Sequence, residues 1–179
     1  DVIYDKETDW SGYQMLVFPQ LYCVSEEMIT RVREFVSNGG TVFASFRSFF
    51  ADRNLKIFHD RQPHGLNDVF GMHYSRITKS EEGRWMELLV PDQACVLSSY
   101  DHPVWSGYAS ATKNAFGKGF AWYLGTNPFR QELKDLLLRS AASAGISAPS
   151  LRWPVICKRA ADFPRPPLWW ERSCRSSPF

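Results

Sequence analysis

Two side chains could serve as nucleophiles. Ser45 closes the apolar run Thr41–Phe46, and Cys23 stands just before Ser25, where a helix N-terminus would favour a thiolate. Either would need a base, and His59, His64 and His73 follow Ser45 along the chain. The turn Ala44-Ser45-Phe46-Arg47-Ser48 has no cysteine and lacks the glycines of a strained nucleophile elbow. A serine at a strand end is more often a turn residue, and a thiol without an ordered histidine partner is more often inert. Glycoside hydrolysis needs two opposed carboxylates. Glu26 with Glu27, and Glu81 with Glu82, are adjacent in sequence, so their side chains diverge on a helix or strand. They read as helix-dipole partners and a solvated turn. No Asn-Glu dipeptide occurs. Asn114-Ala115-Phe116-Gly117-Lys118-Gly119 carries glycines and a lysine but does not match a phosphate-binding loop, and a hairpin turn explains it better.

The elements that would position these residues follow from periodicity. Met15–Phe18 is apolar on both faces and stops at Pro19, as a buried parallel strand does. Ser25 can cap a helix in which Met28, Ile29, Val32, Phe35 and Val36 share one face, with Gly39 and Gly40 ending it. Thr41–Phe46 is a second apolar strand. Strand, helix, strand makes a βαβ unit and predicts a right-handed crossover in an open parallel sheet. Residues 47–65 form a long charged connection, and such loops are usually functional or interfacial. A short turn of helix over Leu66–Phe70 ends at Gly71. Strands are expected over Trp85–Val90 and Ala94–Ser98, and a hairpin over Ala109–Leu124. A second helix covers Phe129–Gly145, with Leu133, Leu136, Leu137 and Ala141 on one side. Val2–Tyr4 is a candidate strand.

The composition closes off several functions. A net charge of +2 argues against nucleic acid or an anionic membrane as partner. No apolar run approaches the roughly 18 residues of a membrane span. Cys23, Cys95, Cys157 and Cys174 form no C-x-x-C pair, and the histidines have no zinc-ligand spacing, so we expect reduced thiols, a cytoplasmic protein, no metal and no cofactor. After about residue 150 the periodicity ends in a stretch rich in Pro, Arg and Trp, read as a linker or aberrant tail over 151–179.

Several stretches, in order over roughly residues 1–150, resemble the middle domain of family 42 glycoside hydrolases, the bacterial β-galactosidases. They are Asp9-Trp10-Ser11-Gly12-Tyr13-Gln14-Met15-Leu16-Val17-Phe18-Pro19, Leu21-Tyr22, Ser25-Glu26-Glu27 and Phe35-Val36-Ser37-Asn38-Gly39-Gly40-Thr41-Val42. Gly65-Leu66-Asn67-Asp68-Val69-Phe70-Gly71, His102-Pro103, the Asn114–Gly119 segment and Tyr123-Leu124-Gly125-Thr126 continue the series. The resemblance implies a flavodoxin-like or class I glutamine amidotransferase-like α/β fold, N-terminally truncated after its first strand and helix. It also implies homotrimer assembly in a longer retaining enzyme acting on terminal β-D-galactosides. The catalytic glutamates of such an enzyme lie on a barrel absent here, so no catalytic residue is expected in this chain. Val155-Ile156-Cys157-Lys158-Arg159 resembles the entry to the family's terminal β domain. The stretch from Ala160 onward departs from it, and a shifted reading frame near Ala160 is the expected reason.

The interface, or the rim of a neighbour's sugar pocket, is expected on the long loop at Arg47, Phe49, Phe50, Asp52, Arg53 and Phe58. Packing of these aromatics over the domain's own sheet is an equal alternative. Two other functions stay open: an amidotransferase-like hydrolase using Cys23 or Ser45, and a sugar-binding module using Trp10, Trp85 or Trp105.

Overall fold

The computed structural model describes Ile3, residues 9–127 and residues 130–147. The readings of Val2–Tyr4 as a strand and of 151–179 as a linker or aberrant tail lie outside the described residues, Ile3 excepted. The elements are β1 (Met15–Phe18), α1 (Glu26–Ser37), β2 (Thr41–Ser45), α2 (Asn67–Phe70) and β3 (Met72–Lys79). They continue with β4 (Trp85–Pro91), β5 (Cys95–Ser99), β6 (Ala109–Phe116), β7 (Gly119–Leu124) and α3 (Arg130–Ser143).

The strands form one open sheet in the order β1-β2-β7-β6-β4-β3, with β5 also paired to β6. The fold is α/β, as expected, but only β1, β2 and β7 run parallel; β7-β6, β6-β4, β6-β5 and β4-β3 are antiparallel. The reason lies in the connections. A strand that pairs in parallel with its predecessor needs a long crossover, usually helical, and β1-α1-β2 supplies one. Short turns join β3 to β4 and β6 to β7 and reverse direction, whereas β4 and β5 both lie antiparallel to β6 and run the same way.

Each central strand is apolar on both faces, so the sheet carries two cores. Leu16, Val42, Ala44, Ala121 and Tyr123 point to the α1 side, where Met28, Ile29, Val32 and Val36 close over them. Phe43, Trp122 and Leu124 point to the other side, against Leu133, Leu136 and Leu137 of α3. The cap of α1 is as the sequence predicts: Ser25 Oγ accepts from the Met28 N–H at 3.3 Å, and Glu26 and Glu27 occupy the first turn. Gly39, at φ 115°, follows the helix end.

The structure adds two features. β3 is a strand over Met72–Lys79, paired to β4 with an irregularity between Tyr74 and Ile77. The hairpin turn is also tighter than expected: β6 runs through to Phe116 and the reversal falls at Gly117–Lys118, with Gly117 at φ 57°. Asn114 therefore belongs to a strand and is buried. Its amide donates to the carbonyls of Asp68 (3.0 Å) and Val69 (2.9 Å), tying α2 to the sheet.

Candidate functional site

The 47–65 loop leaves the carboxyl end of β2, the end at which open α/β sheets bind ligands. Its first turn is sharp: Arg47 (φ 57°) and Phe49 (φ 60°) both adopt left-handed backbone. Beneath it lies Glu87 of β4, fully buried. The Arg47 N–H donates to Glu87 Oε1 at 2.9 Å, and the Tyr123 hydroxyl hydrogen-bonds Glu87 Oε2 at 2.9 Å. Burial pushes the Glu87 carboxyl from 4.5 up to about 8, although the bonds from Tyr123 and Arg47 and the Arg47 charge pull the other way. Burial also raises the hydroxyls of Tyr74, Tyr100 and Tyr123, and the Glu87 carboxyl adds to each. At neutral pH the group is therefore an uncharged acid that braces the loop's first turn. The sequence shows one hint of it, a lone acid inside the apolar run Trp85–Val90, which reading by adjacent carboxylate pairs passes over.

The loop's far end is anchored to α1. His64 Nδ1 lies 2.7 Å from Asp60 Oδ1, and His64 Nε2 lies 2.9 Å from Glu26 Oε1. Each ring nitrogen faces a carboxylate, an arrangement that fits an imidazolium donating from both. Partial burial pulls the imidazole down, but the hydrogen bonds and charges of Glu26 and Asp60 outweigh it and hold the pKa above 6.5. Phe58 stacks on the His64 ring with centroids 3.6 Å apart. One face of α1 also presents Arg33, which donates to Asp68 Oδ2 at 2.6 Å and to the Gly65 carbonyl at 2.6 Å.

Between these anchors the tip projects. Asp52 Oδ1 accepts from the N–H groups of Asn54 (2.8 Å) and Lys56 (2.9 Å), and the Asp52 N–H returns to the Lys56 carbonyl at 2.9 Å. Inside this closed turn Leu55 adopts φ 64°. A non-glycine residue there costs on the order of 1 kcal/mol. Leu55 is 69% exposed, so its side chain recovers little of that within this chain.

The predicted site residues thus divide. Phe49 is fully buried and packs against Phe18 and Phe70. Phe50 is also buried, beside Tyr22 and stacked on Tyr74. For these two, packing over the domain's own sheet is what the structure has. The Arg47 guanidinium lies 5.2 Å from the Tyr22 ring and 5.3 Å from the Phe50 ring. Asp52 and Phe58 are half-buried and Arg53 is exposed, its Nη2 donating to Ser25 Oγ at 3.3 Å.

Both candidate nucleophiles lie at backbone contacts. Ser45 Oγ accepts from the Gln20 N–H at 3.0 Å, and Cys23 pairs through its backbone with Ala51. His64 bonds to Asp60 and Glu26, and His73 to Asp92 at 2.9 Å. The tryptophan platform fares no better at Trp10, which is 6% exposed and covered by Arg31 at 4.0 Å. Trp85 is 43% exposed but lies under Lys79 at 4.4 Å. Among the described residues no cluster of His, Cys, Asp and Glu could hold a metal, and no helix is long and apolar enough to cross a membrane.

A family model described as the beta-galactosidase trimerisation domain matches residues 1–147. The chain belongs to that family. Beta-galactosidase BbgII of Bifidobacterium bifidum is 28% identical over 162 residues, 78% of this chain and 24% of that protein. Beta-galactosidase BgaB of Geobacillus sp. (strain Y412MC61) is 29% identical over 144 residues, 72% of this chain and 21% of that protein. Among solved structures, Gan42B, a GH42 beta-galactosidase from G. stearothermophilus, is similar with a TM-score of 0.70 at 27% identity. That match covers 75% of this chain and 22% of Gan42B. The chain thus spans about a quarter of the length of the relatives it matches. As a member of the family it is a trimerisation domain of the GH42 β-galactosidases, and the hydrolase and sugar-module alternatives are not favoured.

Proposed function

We propose that this domain assembles three copies of a retaining, cytoplasmic β-galactosidase that hydrolyses terminal β-D-galactosides, and that it takes no chemical part in the hydrolysis itself. The observation that carries this is the match of the trimerisation-domain family over residues 1–147. Its partners are copies of itself and the catalytic barrel of the parent enzyme, with no nucleic acid, membrane, metal or cofactor involved. A heterologous contact repeated about a three-fold axis closes a ring, so each domain must offer two different surfaces.

The 47–65 loop is our candidate for one of them. Arg47, Asp52, Arg53 and Phe58 form its accessible part, while Phe49 and Phe50 support it from beneath. The same loop in the assembled enzyme is a candidate wall for a neighbour's sugar pocket. Light scattering on a sizing column gives the mass of the purified chain, alongside a chromogenic β-galactoside assay. A trimer without hydrolysis is the expected result. Hydrolysis that cannot be separated from the pure chain would overturn the non-catalytic assignment.

A further inference from the structure

The tip of the loop combines three properties. It is apolar and exposed, with Leu55 69% and Ile57 48% accessible. It is held in one shape by the Asp52 carboxylate, by the Leu55 N–H donating to the Asp52 carbonyl at 3.1 Å, and by the Ala51–Ile57 bridge. It keeps leucine at a backbone position that suits glycine or asparagine, although Asn54 is the neighbouring residue. A rigid apolar projection loses little freedom on docking, which is the character of an anchor residue rather than of a loop tip evolved for solvent. Arg53 and Lys56 flank it and are exposed, as at a polar rim around a dry centre.

We propose that the Asp52–Ile57 turn, with Leu55 as its anchor, inserts into a second copy of this chain and is the projecting half of the ring contact. This rests on the reading that the domain assembles with itself. Phe58 and His64, stacked at the base of the loop, hold the turn in place.

The test compares the full chain with Leu55→Asn and Leu55→Gly, by sedimentation for self-association and by thermal melting for the fold. Both replacements suit the left-handed backbone, so the melting temperature is expected to stay level or rise, while trimer affinity falls tenfold or more. A trimer whose affinity ignores both replacements overturns the anchor and leaves the assembly reading intact. A loss of association that comes only with a loss of fold makes Leu55 a structural residue and also overturns it. An unsubstituted chain that stays monomeric up to millimolar concentration overturns the assembly reading for this chain and the anchor with it.

Discussion

Glu87 sets a stability that should fall as the solution becomes more alkaline. In the unfolded chain its carboxyl ionises near 4.5, whereas in the fold it holds its proton to about 8. Between those values unfolding releases a proton, so each pH unit removes about 1.4 kcal/mol of stability through this one group. From pH 4.5 to pH 7 the loss is on the order of 3 kcal/mol, and above pH 8 it levels off as the folded carboxyl also ionises. Glu87→Gln keeps the shape and the acceptor for the Arg47 N–H but cannot ionise. Urea unfolding at pH 5, 7 and 8.5 separates the two proteins. The unsubstituted chain should lose stability steadily across the series, and the glutamine chain should lose much less, overtaking it near neutrality. Equal slopes for the two would refute the account of Glu87 as a buried neutral acid. His64 contributes a slope of the same sign, and the glutamine chain retains it.

That smaller slope gives a second expectation. His64, raised above 6.5 by Asp60 and Glu26, stabilises fully below its unfolded value and loses that contribution as pH rises through its folded one. His64→Ala should therefore cost about 1–2 kcal/mol at pH 5.5 and less at pH 8.5; a cost that is constant with pH would argue against the double carboxylate bond. Gly119→Ala should unfold the protein or cost more than about 3 kcal/mol, because an added Cβ would collide with the backbone carbonyls of Gly40 and Val36, where α1 ends against β7. Circular dichroism and melting suffice to check it, and a normal fold would show that this junction gives way.

What the sequence revealed, and what it concealed, follow from the range of the interactions involved. Ser25, the apolar face of α1 and the left-handed Gly71 are local, and each is where periodicity and capping predict it. β3 was hidden because its pattern is mixed: His73, Ser75, Arg76 and Lys79 interrupt the apolar positions, and an irregularity shifts its register midway. The direction of β6 and the depth of Asn114 depend on partners far along the chain, which no window of neighbouring residues contains. The loop shows both limits. Its length marks it as functional, yet Phe49 and Phe50 look like interface aromatics until Phe18, Phe70 and Tyr74 are seen to surround them. Leu55 draws no notice in sequence, since a leucine gives no sign of its backbone angle.

The strand order has a consequence for how the protein comes to exist. β7, the last strand made among the described residues, lies in the middle of the sheet, between β2 and β6. On the ribosome, β1, α1 and β2 can associate early, but the inner edge of β2 has no neighbour until Phe120–Leu124 emerge. Until then Val42 and Phe43 sit on an unfinished sheet. The β6–β7 hairpin, joined by two residues, forms quickly by itself and delivers β7 ready-paired. Synthesis thus has a window in which the nascent chain is most exposed to aggregation, and it closes when that hairpin docks.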